Sequence, residues 1–248
     1  WSAAFAVAAG CAALAWLLIA ICAPARKGPP AATKGVSLFD FRPVFSNRSA
    51  MAYAFAYCFH TWEMNALRGW GVAFLAYVAV QSGEGSGWMA PTIVVTVMAL
   101  MGTVASFAGN EASIRFGRRR LICFAMAGSV LVGATIGFVG PLSYTIAVML
   151  VLAYGIFIWL DSASLTAGTA GSADPARRGA TLAVHSMLGY TGGFLGPLAI
   201  GWTLDLAGGM SSIAWGLAFA MVAGMVVLSL ATFLVLRPGE LAGDRNSR

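Results

Sequence analysis

Residues 109–140 read GNEASIRFGRRRLICFAMAGSVLVGATIGFVG. Arg115, Arg118, Arg119 and Arg120 stand directly before Leu121–Gly140, a run that contains no charged residue. A helix needs about 20 mostly apolar residues to cross the hydrocarbon core of a bilayer. Lipid offers no hydrogen bonds to the backbone, so only helices and closed barrels span it. A run of this length with a basic cluster at one edge therefore predicts a transmembrane helix.

The rest of the chain repeats that pattern. Comparable runs are Trp1–Ala23, Ala50–Val80, Trp88–Ala108, Ser143–Thr169, Gly179–Leu206 and Ser211–Leu236, which with Leu121–Gly140 predict seven spans. Composition agrees. The 248 residues are 59% hydrophobic and only 10% charged, and mean hydropathy is +0.81. A soluble domain is usually about 45–50% apolar and about 25% charged, so this chain has too little charge to cover a water-facing surface. The expected fold class is all-α, a polytopic membrane helix bundle. The first run lacks a basic leading segment and an initiating Met, so it reads as a span rather than a signal peptide, and the chain reads as truncated at its front.

Fourteen of the fifteen Lys and Arg residues fall in alternate connections. Arg26, Lys27, Lys34, Arg42 and Arg48 follow the first span, Arg115 to Arg120 the third, Arg177 and Arg178 the fifth, and Arg237, Arg245 and Arg248 the seventh. The positive-inside rule then predicts an N-terminus outside and a C-terminus in the cytoplasm. The net charge of +6 is absorbed by this pattern and does not predict nucleic-acid binding. Expected divisions are a helix over 1–23, a cytoplasmic linker over 24–49, a six-helix unit over 50–236 and a cytoplasmic tail over 237–248. Within the linker, Val36–Phe45 interleaves Phe39, Phe41 and Phe45 with Asp40 and Arg42, as either a surface-lying segment or a plain tether would. Asn47-Arg48-Ser49 matches a glycosylation pattern on the wrong side of the membrane. Cys11, Cys22, Cys58 and Cys123 have neither metal-ligand nor redox-pair spacing and are expected as reduced core thiols. Glu84 and Asp205 are expected as solvated charges at the outer face.

The fifteenth base, Arg68, lies inside the second span with His60, Glu63 and Asn65. An ionisable group at mid-membrane depth costs at least about 2.5–3.5 kcal/mol on insertion scales, so it usually faces a cavity or a partner. At about 100° per residue, Tyr53, Tyr57, His60, Met64 and Arg68 share a stripe roughly 80° wide, and Glu63 is within reach of His60 at i, i+3. Arg68 reads either as a lock to a carboxylate on another helix or as an anion-binding guanidinium, whose planar fork suits carboxylate or phosphate oxygens. The fifth span carries Asp161, with Tyr154, Phe157 and Ser164 near its face. It is a candidate partner for Arg68, a candidate proton carrier, or both. His185 in the sixth span reads as hydrogen-bonded packing. Gly189, Gly192, Gly193, Gly196 and Pro197 predict close helix packing through small-x-x-x-small pairs and a bendable segment.

The stretch Gly109 to Arg120 resembles the cytoplasmic loop signature of the major facilitator superfamily, G-x-x-x-D-R-x-G-R-R. Arg115, Gly117, Arg118 and Arg119 match its second part, Gly109 falls one position early, and Ile114 stands where the acidic residue belongs. Asp174-Pro175-Ala176-Arg177-Arg178-Gly179, then Gly189 to Pro197 and Asp205, resemble that family's penultimate helix, and the basic linker resembles its central loop. The resemblance covers essentially the whole chain. It implies helices six to twelve of a twelve-helix transporter, with the second and fifth spans lining a central cavity.

The expected function is transport of a small anionic or polar solute by alternating access, with proton coupling as one mode. Arg68, Asn65, Tyr53, Tyr57 and Tyr154 are the candidate solute-binding residues, and His60, Glu63 and Asp161 the candidate proton-coupling groups. A missing N-terminal half would be needed to complete the bundle. The alternative is a seven-helix membrane receptor or a non-transporting partner subunit. A retinal protein would need a lysine within a span, and Lys27 and Lys34 both lie in one loop. No catalytic constellation, P-loop, metal motif or cofactor motif is present, so the expectation is not an enzyme and no cofactor. A multi-pass protein of a bacterial inner membrane is the expected setting.

Overall fold

The computed structural model describes residues 1–23 and 40–244. Among these the structure is helical, with no strand. Arg26, Lys27, Lys34, Phe39, Arg245 and Arg248, and the first part of the expected linker, lie outside the described residues. The chain divides into two units. One contains α1, Ser2–Cys22. Its side chains are exposed throughout, so Cys11 and Cys22 are surface thiols of this helix and not core thiols.

The second unit is a bundle of α2 (Arg42–Ser46), α3 (Arg48–Gln81), α4 (Pro91–Phe116), α5 (Arg118–Val139), α6 (Tyr144–Leu160), α7 (Ser162–Ser172), α8 (Arg178–Leu206) and α9 (Ser212–Leu236). Five helical segments are long and apolar enough to cross a membrane: Ser2–Cys22, Pro91–Phe116, Arg118–Leu142, Tyr144–Ser172 and Ser212–Leu236. The chain is thus an integral membrane helix bundle by composition and length. The 34-residue α3 and 29-residue α8 have the length, but their polar residues keep them out of the apolar set.

Those two less apolar helices pack on each other along their length, and α3 also touches α4, α6, α7 and α9. The glycine stripe of α8 makes the contact close. A Cβ at Gly192 would sit 1.9 Å from the Cys58 carbonyl oxygen, and one at Gly196 2.2 Å from that of Trp62. Across the seam Thr61 donates to the Gly189 carbonyl at 2.7 Å and Trp70 Nε1 to the Pro197 carbonyl at 2.8 Å. Helix α8 continues through Pro197. Away from the arginine-bearing end, the core is aromatic, with Trp215 packed against Trp70, Phe74 and Phe219.

Several ends differ from the sequence expectation. The expected fifth span is interrupted at Asp161, between α6 and α7. There α4 presses against it so tightly that a Cβ on Gly109 would lie 1.8 Å from the Leu160 carbonyl oxygen. The expected loop after the third span is largely helix, since α4 runs to Phe116 and only Gly117, at φ +100°, turns the chain. Only glycine adopts that backbone without strain. Asn47 caps α3, accepting from Ala50 N at 3.0 Å while donating to the Ser172 carbonyl at 2.8 Å. Glu84 is not a free surface charge: it accepts from Ser143 Oγ and Tyr144 N at the start of α6, where a carboxylate favours the helix dipole. Asp40 accepts from Arg42 Nε at 2.9 Å, and that hydrogen bond holds its carboxyl below the ordinary value.

The residues after α9 form no free tail up to Asp244. Arg48 donates to the carbonyls of Leu236 and Val235, at 3.0 and 2.7 Å, closing the C-terminus of α9 with a cation. Gly239 accepts from Tyr53 Oη and donates to Ser49 Oγ. Leu241 packs over Gly171, where a Cβ would meet it at 2.7 Å.

Candidate functional site

Helices α3 and α8 leave between them an open groove of about 410 Å³, walled by Tyr57, Thr61, Met64 and Asn65 on one side and Ser186, Tyr190 and Phe194 on the other. Its floor is Gly189 and Gly193, whose missing side chains make the room. Asn65 donates to the Thr61 carbonyl at 2.9 Å. This fixes the side chain beside Gly193, where a Cβ would meet Asn65 Nδ2 at 2.9 Å. Tyr190 and Phe194 are 81% and 70% exposed, so the outer wall is aromatic and unpartnered within the described residues.

Behind the groove lies a buried ionisable cluster. His60 Nδ1 is 3.0 Å from Asp161 Oδ1, and the two side chains are 2% and 5% exposed. The pair is at ion-pair distance but off the line of a hydrogen bond. Glu63 Oε1 accepts from Tyr154 Oη at 2.7 Å and from Ser129 Oγ. His60, Glu63, Ser129, Asp161 and Ser229 surround a chamber of about 10 Å³. His60 Nε2 and Ser229 Oγ are buried without a hydrogen-bond partner. Tyr57 connects groove and cluster. Its ring stacks on His60 with centroids 5.6 Å apart and on His185 at 3.9 Å. His185 in turn lies 3.1 Å from Thr169 Oγ1 and 3.4 Å from Thr166 Oγ1, the hydrogen-bonded packing that its position suggested.

Of the candidates read from sequence, the structure brings His60, Glu63 and Asp161 together around one chamber, and places Tyr57 and Asn65 in the groove. Others fall elsewhere. Arg68 is exposed, with no polar partner among the described residues, and Asp161 faces His60 instead. Glu63 takes hydroxyl donors from α5 and α6 rather than pairing with His60. Tyr53, one turn before the groove residue Tyr57, is fully buried against Phe233 and the Gly239 carbonyl and does not line the groove. Tyr154 is also fully buried, on Glu63, and lines no groove. The steric reason is common to both: each ring fills the space above a glycine, Gly168 for Tyr53 and Gly133 for Tyr154.

The arginines of the motif are divided by burial. Arg115 makes an exposed i, i+4 pair with Glu111 at 2.8 Å. Arg118 is 2% exposed. It donates to both Asp244 oxygens at 3.1 and 2.9 Å, to Asn110 Oδ1 at 3.0 Å and to the Ser164 carbonyl at 3.3 Å. Glu240 accepts from the backbone N–H of Arg118 and of Arg119, capping α5 with both oxygens. The acids at this end of α5 thus come from beyond α9. Sequence reasoning missed Glu240 and Asp244, which lie more than 120 residues away in the chain and carry no local motif.

No known protein-family model matches this chain, and no curated protein matches it. Among the described residues no group of His, Cys, Asp and Glu has the arrangement of a metal site.

Proposed function

We propose that the chain is a solute-handling part of a secondary transporter that works by alternating access, resembling helices six to twelve of the major facilitator superfamily. In this reading α3 and α8 are membrane-crossing helices as well, which makes seven spans. The arginine-bearing end is cytoplasmic, and the chain sits in a bacterial inner membrane. The solute is small and polar or anionic.

One observation carries the reading: the two long helices outside the apolar set border an open groove that offers an amide and hydroxyls and is backed by buried ionisable groups. Polar side chains at this depth are expensive unless they face a cavity, and intramembrane clefts between helices are where transporters hold solute. The groove supplies an amide at Asn65 and aromatic walls at Tyr57, Tyr190 and Phe194; the exposed Arg68 stands outside its lining, one turn further along α3. Arg68 would draw an anionic group towards the groove mouth.

Alternating access can be tested before the solute is known. With the four native cysteines replaced, Asn65→Cys should react with a membrane-impermeant maleimide from either face of sealed vesicles. Reaction from one face only would fit a receptor and end the transport reading.

A further inference from the structure

We propose that the His60–Asp161 pair carries one exchangeable proton in the small chamber behind the groove, and that Tyr57 links its occupancy to that of the groove. The role as a coupling ion rests on the transport reading; the proton site itself does not.

The chamber has the size and lining of such a site. At about 10 Å³ it admits nothing larger than a single water-sized species. Buried polar atoms that lack partners are uncommon, and each needs a reason. Here His60 Nε2 and Ser229 Oγ are in that condition beside the same chamber. With the neutral ring's hydrogen on Nδ1, the nitrogen 3.0 Å from Asp161 Oδ1, the unpartnered Nε2 is the lone-pair nitrogen. A proton bound there makes an imidazolium next to the Asp161 carboxylate, and its departure restores the neutral ring. One N–H bond forms or breaks, and no electron transfer is involved.

Every neighbouring element contributes to the surroundings of the pair. Helix α3 presents Tyr57 and Glu63, α6 presents Tyr154, and α8 presents His185 through the Tyr57 ring; α5 and α9 bring the hydroxyls of Ser129 and Ser229. No Lys or Arg lines the chamber among the described residues. Glu63 is the poorer carrier, because two hydroxyl donors already converge on one of its oxygens. A hard cation such as sodium wants a shell of six or so oxygens, whereas an imidazole edge forms part of this wall.

Among the described residues, Tyr57 alone both lines the groove and stacks on His60. A solute pressing on that ring moves the plane on which His60 rests, and so alters the His60–Asp161 contact. Tyr57 is therefore a positioning residue for the proton site.

The sequence holds two histidines, which makes the test direct. The full chain, labelled with ¹⁵N-histidine in lipid nanodiscs, is titrated by NMR, and His185→Gln identifies the His60 signal. His60 should titrate in one step and be indifferent to sodium chloride at fixed pH. Asp161→Asn, which removes the charge 3.0 Å from Nδ1, should displace the midpoint. Tyr57→Leu should displace it as well, whereas Tyr57→Phe, which keeps the ring, should not. Ser229→Ala, a smaller change in the same chamber, should move the midpoint while leaving the thermal melting of the protein unchanged. A His60 signal flat across the titration, or one that follows sodium rather than protons, overturns the proposal. One-sided maleimide labelling beside a titrating His60 would remove the transport role alone and leave the proton site standing.

Discussion

At the arginine-bearing end of the bundle, the Arg118 side chain meets four oxygens from α4, α7 and the segment after α9. Twelve residues into α3, about 18 Å along its axis, His60 and Asp161 face each other beside a chamber of about 10 Å³. Both clusters are buried and both pair a cation-forming side chain with an aspartate. They differ in satisfaction. Every donor direction needed to hold Arg118 is met, and the geometry is bidentate, the strongest arrangement for a guanidinium and a carboxylate. The mid-helix cluster leaves a ring nitrogen, a carboxylate oxygen and a hydroxyl without a hydrogen bond. A filled network fixes one conformation; an unfilled one has room for something to bind. The first reads as a lock that ties the chain after α9 to the α4–α5 turn, the second as a working site.

That contrast is most exposed to Arg118→Ala. The substitution leaves the Asp244 carboxylate buried without its cation, a loss of about 3–5 kcal/mol. Melting of the purified protein in detergent should fall by many degrees. Removing Asp244 as well should recover part of the loss, since no unpaired charge then stays behind. If Arg118→Ala melts like wild type, the lock does not exist. Glu240→Ala tests the same end more gently. It uncaps α5 at two backbone N–H groups, and loss of a cap costs about 0.5–2 kcal/mol. A melting change as large as that of Arg118→Ala would mean that the cap and not the ion pair anchors the segment.

The other side of the contrast predicts small numbers. Asp161→Asn should cost about 1 kcal/mol, the usual net worth of one polar contact, because His60 can stay neutral and the amide fits the same space. Stability equal to or above wild type would strengthen the idea of a site maintained for binding. A loss matching that of Arg118→Ala would make the two clusters alike, and the distinction between lock and site would fall.

The same contrast explains what could be read from sequence. Apolar runs and basic connections show through because each residue in them acts alone, by hydropathy and by charge. Five of the predicted spans reappear as apolar helices; of the small-residue pairs in α8, Gly192 and Gly196 meet α3 backbone, whereas Gly189 and Gly193 meet the Tyr57 and Asn65 side chains. Depth within the membrane singled out His60, Glu63 and Asp161. Partner choice did not show, because it depends on which helices touch. Opposite charge at depth offered Arg68 to Asp161, and helical spacing offered His60 to Glu63, whereas packing gives Asp161 to His60 and Glu63 to Ser129 and Tyr154. Tyr53 and Tyr154 have the right chemistry for a solute wall but occupy glycine-made hollows in the core. Glu240 and Asp244 were invisible because an acid in a short polar segment has no periodicity to betray its target.

Arg68 yields the smallest stability effect and the sharpest functional one. It is exposed, and no polar group among the described residues engages it. Arg68→Ala should therefore change stability by no more than about 0.5 kcal/mol, as surface substitutions away from special features do. In proteoliposomes of the complete transporter the same variant should lose accumulation of an anionic solute. Arg68→Lys should recover little of it, because a point charge cannot offer the planar pair of donors. A variant that transports normally would take Arg68 out of the solute path. A variant that melts well below wild type would instead place it in a structural pair with a partner outside the described residues. The guanidinium would then belong with Arg118, on the side of the lock.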